Sequence, residues 1–185
     1  MTSVLNLRET PYGMNAPWPD PAFRYLTSAL LAKLSADDVA NAIVQHVELK
    51  VSERGEEDRD EVIAELPSGT KAVYATWLVD TEVNNGGFNQ YFYNPYGELA
   101  GIALAGYELM GVTEYAAVMR AAIATREAER ETMKRFYESD DPDAFSESYD
   151  HTALGEVDQR YYALGDRIYD VWATFVRERP EAFTS

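Results

Sequence analysis

The sequence predicts an all-α fold, and three observations predict it. Apolar residues recur at spacings of three and four along nearly every segment between breakers. No stretch alternates apolar and polar residues between hairpin turns. Helix start and stop residues stand at the ends of the periodic segments. With 185 residues, the chain is long enough for one compact domain that buries most of its apolar surface. The expectation is a single compact multi-helix domain over residues 21–185, preceded by a proline-rich arm over residues 1–20. In the arm, Pro11, Pro17 and Pro19 fall close together with Gly13 and Asn15, and Pro21 follows directly. Prolines at that density remove backbone donors and break any helix. Tyr12 and Trp18 are the side chains that could pin the arm to the body.

Taken in order, Phe23, Leu26, Leu30 and Leu34 define the first helical face. Ser35 then precedes Asp37 and Asp38, an N-cap with acids at the positive end of the helix dipole. Val39, Ile43 and Val47 form the buried stripe of that second helix. Gly55 marks a charged break, and a short helix around Val62–Leu66 stops at Pro67. Ser68-Gly69-Thr70 opens a helix bearing Val73, Tyr74, Trp77 and Leu78, which runs into Asn84-Asn85-Gly86-Gly87. A short helix over Phe88–Tyr93 is expected to stop before Pro95. Leu99, Ile102, Ala103, Tyr107 and Met110 form the next face, with Gly111 as C-cap. Thr113 opens a helix with Tyr115, Val118, Met119, Ala122 and Ile123 inward, extending to Met133 and Phe136. Asp140-Asp141-Pro142-Asp143 breaks it. One last long helix is expected to carry Val157, Tyr161, Leu164, Ile168, Val171, Trp172 and Phe175 and to end near Pro180.

Charge narrows the function classes. The chain has 32 acids, 16 bases and a net charge of -16. Such a chain repels nucleic acid and anionic membranes and attracts basic partners. The excess is uneven. Residues 136–159 hold Glu138, Asp140, Asp141, Asp143, Glu147, Asp150, Glu156 and Asp158 without one lysine or arginine. A second cluster, Glu53, Glu56, Glu57, Asp58, Asp60 and Glu61, is interrupted by Arg54 and Arg59. Each run can be a solvated surface, or a negative face for a basic protein. Duplex DNA carries about one charge per 1.7 Å of axis, and a row of carboxylates matches part of that field.

Catalytic and metal chemistry find little support. There is no cysteine, which excludes disulfides, thiolate metal sites and a cysteine nucleophile. His46 and His151 stand alone; the first reads as a helix-surface or core-edge residue, the second as a loop or helix-start residue. No histidine pair has metal-ligand spacing. The Asp140–Asp143 run lacks the glycine and glutamate of a calcium loop and contains Pro142. No phosphate loop and no nucleophile elbow occurs. No catalytic residue, metal or cofactor is therefore expected. The chain shows no leader and no long apolar run, so a cytoplasmic protein without membrane contact is expected.

The most distinctive stretch is Thr81–Pro95, TEVNNGGFNQYFYNP. Its adjacent glycines allow positive φ. Its amides, Asn84, Asn85, Asn89 and Gln90, can either tie a turn to neighbouring helices or, with Glu82, line a polar pocket. The core formed by Asn85, Gly86, Gly87, Phe88, Gln90, Tyr91 and Phe92 resembles the characteristic segment of a bacterial all-helical domain family typified by a DNA-mimic protein. Leu154, Asp158, Tyr161 and Leu164, and an ending over Pro180–Phe183, are similar to the same family. The resemblance covers about residues 60–183. It implies a helical protein with a DNA-like negative surface, which in the typifying member occupies a helix-turn-helix transcription factor and keeps it off its operator. On that view the motif is structural.

The function expected is that of an acidic interaction protein, a DNA mimic that binds a basic DNA-binding protein and blocks its DNA-binding face, with no direct contact to nucleic acid. Glu138, Asp140, Asp141, Asp143, Glu147 and Asp150 are the expected contacts, taken from the charge count. A homodimer is left open. Two alternatives stand beside this reading: an immunity-type protein neutralising a basic toxin, and a small-ligand-binding protein or enzyme with its site around Asn84–Tyr93.

Overall fold

Nine α-helices, joined by short 3-10 turns and with no strand, make up the described residues, so the all-α class is the observed one. The computed structural model describes residues 18–165 and 167–183, apart from the side chain of Asp37. The expected arm lies outside the described residues as far as residue 17. The helices are α1 (Ser28–Leu31), α2 (Ala36–Arg54), α3 (Arg59–Glu65), α4 (Ser68–Tyr93), α5 (Ala100–Leu109), α6 (Thr113–Tyr137), α7 (Ala144–Ser148), α8 (Leu154–Tyr162) and α9 (Arg167–Glu178). They gather in two compact units: Met1–Tyr74 with Tyr169–Ser185, and Ala75–Ile168.

In the first unit, α2 begins where a cap makes it begin. The Ser35 hydroxyl accepts the Asp38 N–H at 3.2 Å. Val39, Ile43 and Val47 are fully buried, and so are Ala42 and Val51. Gly55, at φ 115°, ends the helix. The face expected over Phe23–Leu34 is not one helix. It is a 3-10 turn, Pro21–Phe23, followed by the four-residue α1. Thr27 is extended and caps α1 by accepting the Leu30 N–H at 3.2 Å. This reset buries Leu31, while Leu30 is only partly covered. Arg59 opens α3 three residues before the expected start, and it pairs with Glu48 at 2.9 Å while donating to the Tyr74 hydroxyl at 3.0 Å.

In the second unit, α5 ends in a Schellman cap. Val112 N–H bonds the Tyr107 carbonyl and Gly111 N–H that of Glu108, both at 3.0 Å, with Gly111 at φ 75°. The amphipathic α6 buries Tyr115, Val118, Met119, Ala122, Met133 and Phe136, while Ile123 is half-buried. The last long helix expected from the sequence is two helices. Gly165, at φ 64°, interrupts it between α8 and α9. Both pieces keep the apolar spacing of three and four, so the periodicity alone did not reveal the break. No described helix is long and apolar enough to cross a membrane.

Candidate protein-binding surface

The distinctive motif is a kink inside α4. Helical geometry fails only at Gly86 (φ -154°, ψ 23°) and Gly87 (φ 74°, ψ 179°). The Gly87 conformation, positive φ with extended ψ, is a region reserved almost wholly for glycine. A Cβ there would also collide with the carboxylate of Asp158, lying 2.9 Å from its Cγ. The kink leaves the Phe88 N–H without a helical partner, and Asp158 Oδ1 accepts it at 2.7 Å. Burial raises the Asp158 carboxyl above the ordinary aspartate range, and the Phe88 N–H acts in the opposite direction.

The joint is sealed from several sides. Glu82 Oε2 accepts from Gln90 Nε2 at 2.8 Å and from Asn94 Nδ2 at 2.7 Å, clamping the two halves of the helix across the bend. The Tyr162 hydroxyl donates to the Val83 carbonyl at 2.9 Å. Tyr161 donates to Asp80 Oδ1 at 2.9 Å, and Asn84 Nδ2 joins the same oxygen at 3.0 Å. The Phe88 ring stacks at 6.2 Å on Phe92 and meets Tyr161 edge-on at 5.8 Å. Phe88 and Tyr91 are fully buried and Asn89 is 1% exposed, so this part of Asn84–Tyr93 is packed interior. Among the amides, Asn84 and Asn85 remain exposed. Among the described residues no group of histidines and acids could hold a metal ion.

The same joint holds the acidic segment. Asn89 Nδ2 donates to Ser148 Oγ at 2.7 Å, and the Tyr149 hydroxyl donates to the Gly86 carbonyl at 2.7 Å. Phe145 packs on Tyr93 at 4.6 Å, and His151 stacks on Phe136 at 5.0 Å. Glu129, on α6, accepts from Ala153 N–H at 2.8 Å and Thr152 Oγ1 at 2.6 Å. Upstream, Asp141 Oδ1 accepts the Asp143 N–H at 2.9 Å, an Asx turn that sets the break before α7.

With Ala144 and Ser148 facing inward, the acids face water. Glu138, Asp140, Asp141, Asp143, Glu147 and Asp150 are all exposed. Asp143, Glu147 and Asp150 follow one another at intervals of four and three. At helical rise they span roughly 10–12 Å, a length over which one DNA strand carries about three phosphates. Among the described residues, the one ion pair made by these six acids is Lys134–Glu138 at 3.8 Å. The cluster near Gly55 differs: Arg54 lies within ion-pair reach of Asp58, Glu61 and Glu65, Arg59 pairs with Glu56, and Arg24 with Glu53. The two runs look alike in sequence, but cations compensate much of only one.

Asp158 belongs to the acidic run in sequence but not to the surface, being 9% exposed and turned to the kink. That was legible: Leu154, Val157, Asp158 and Tyr161 fall on one helical face, so an acid sits within an apolar stripe. Asp80, Ser148, Tyr149, Tyr162 and Glu129 carried no such signal, since they meet partners 23–81 residues away along the chain.

The DMP19-like protein family matches residues 64–179. The chain belongs to that family. DMP19 stands for DNA mimic protein. The matched span contains the kinked motif, Asp158 and all six exposed acids. No curated protein and no solved structure matches the chain.

Proposed function

We propose that this member of the DMP19-like family is a DNA mimic that binds a basic DNA-binding protein, such as a helix-turn-helix transcription factor. Glu138, Asp140, Asp141, Asp143, Glu147 and Asp150 occupy the partner's phosphate-binding face. The observation that carries this reading is the row of exposed carboxylates, almost free of ion pairs, on a segment tied to the buried family motif. Preorganisation matters because a rigid row loses little entropy on binding. The field of the acids steers the partner inward, and contact then excludes DNA. Such a regulator acts in the cytoplasm.

Each charge pair formed near 4 Å contributes about 1 kcal/mol in water. Loss of Asp143, Glu147 and Asp150 together therefore weakens binding by about 3 kcal/mol, roughly a hundredfold. The test is capture of partners on immobilised protein at low and high salt, followed by a competition assay. The expected outcome is a basic DNA-binding protein that is released by salt and displaced from its operator by the wild type. The Asp143→Asn/Glu147→Gln/Asp150→Asn variant displaces it about a hundredfold less well. A partner whose DNA binding is untouched by the protein, or a variant as potent as the wild type, overturns the reading. A basic toxin captured in place of a DNA-binding protein points to the immunity alternative.

A further inference from the structure

The first unit holds a cleft of about 740 Å³, set among the start of α1, α2, the end of α3 and the C-terminal 3-10 turn. That volume lies within the range of small-molecule sites, roughly 300–1,000 Å³. Its lining lies mostly outside the family match, which begins at residue 64. It is also separate in sequence from the acidic segment, so nothing in it follows from the proposed mimicry.

Part of the wall is apolar: Leu26, Val62, Leu66 and Phe183 line the cleft beside polar and charged side chains. His46, 6% exposed, lines it too. Its Nδ1 lies 2.9 Å from the Phe23 carbonyl. A carbonyl can only accept, so Nδ1 carries the proton and Nε2 is an acceptor in the neutral ring. Nε2 makes no hydrogen bond with the described residues. Burial lowers the His46 pKa, as does the charge of Lys50, while the Phe23 and Arg24 carbonyls and Glu53 oppose the shift. The neutral ring is therefore the form present near pH 7.

Lys50 lies one helical turn beyond His46 on α2 and is exposed. Among the described residues it forms no ion pair. The two lining carboxylates do: Glu53 pairs with Arg24 and Glu65 with Arg54, each at 2.6 Å. Of the charges lining the cleft, Lys50 is the one without an ion pair among the described residues. A cation without an ion pair among the described residues, a ring-nitrogen acceptor and a partly apolar wall have a definite complement. That complement is an apolar body with a single anionic end and a hydrogen-bond donor. A polyphosphate needs more cations than the cleft offers, and a cation has no free carboxylate to meet.

We infer that this cleft is a binding site for small amphipathic carboxylates, with the anion on Lys50, a donor on His46 Nε2 and the apolar body against Leu26, Val62 and Phe183. The test uses the full chain and the fluorescent probe anilinonaphthalenesulfonate, which has an aromatic body, one anion and one N–H. The expected result is saturable binding at one site per chain. Decanoate displaces the probe, and decanol needs at least about tenfold higher concentration. Lys50→Glu, at an exposed position, and Ser28→Trp, which fills the cleft mouth, each raise the probe Kd about tenfold or more. Circular dichroism and Tm confirm that both variants remain folded, and Gln159→Ala, at an exposed position in the other unit, binds the probe as the wild type does. Absence of saturable binding, displacement by decanol as readily as by decanoate, or unchanged Kd in both cleft variants overturns the inference.

Discussion

Replacing Gly87 by alanine tests the account of the kink most directly. Two costs fall on one methyl group. The residue is held at φ 74°, ψ 179°, a conformation that costs a side-chain-bearing residue about 1–3 kcal/mol. The new Cβ also drives into the Asp158 carboxylate, which must move away from the Phe88 N–H. Losing a hydrogen bond to a charged group costs about 1.5–3 kcal/mol. The sum is a destabilisation of about 2.5–6 kcal/mol, reduced where the backbone can relax. The assay is urea unfolding, in which the midpoint should fall while the slope stays constant. For a chain of this size Tm drops by about 2–4 °C per kcal/mol. Gly86→Ala is the comparison. Its φ is negative and its new Cβ meets the end of the Gln90 side chain, which can swing aside, so it should cost about 1 kcal/mol. A double-mutant cycle isolates the collision: in an Asp158→Ala background, Gly87→Ala should cost only the backbone strain. A Gly87→Ala cost below about 1 kcal/mol, or an equal cost in both backgrounds, refutes the reasoning.

Two further outcomes follow from the same joint. Asp158 has its folded-state pKa raised by burial, so the native state holds the proton more tightly than the unfolded chain. Its stabilising contribution is complete below pH about 3.8 and is lost as pH rises through the folded value. Asp158→Asn should therefore gain in stability relative to the wild type as pH climbs from about 4 towards neutrality, then stay level, as read by urea midpoints across that range; a difference flat in pH would count against the buried charge. Tyr161→Phe removes the donor to Asp80 Oδ1 at 2.9 Å in a buried setting and should cost about 1–3 kcal/mol. Thermal unfolding within about 0.5 kcal/mol of the wild type would show that this bond contributes nothing.

The all-α class, the Ser35 cap, the stop at Gly55, the Gly111 cap and the site of the kink were all legible in the sequence. Each is a local event: a side chain bonding its own backbone, or a glycine adopting a conformation other residues avoid. The two helix errors have the opposite character. The Phe23–Leu34 and Val157–Phe175 stripes keep helical spacing across a break, because burial repeats on the same side whether or not the backbone is continuous. Only Thr27 and Gly165, seen in place, show where the chain resets.

The sequence alone makes clear that residues 136–159 carry eight acids and no lysine or arginine, and that a turn belongs at Asn84-Asn85-Gly86-Gly87. It could not separate the carboxylates that face water from the one that does not. Tertiary structure decided that, by turning Asp158 onto the Phe88 N–H and leaving Asp143, Glu147 and Asp150 outside. It also decided which acidic run has its charge offset, by placing Arg24, Arg54 and Arg59 among the acids near Gly55 and, among the described residues, pairing only Lys134 with an acid of the other run. The reason is physical: a carboxylate's effective charge depends on its neighbours within a few ångströms, and those neighbours can be dozens of residues away along the chain.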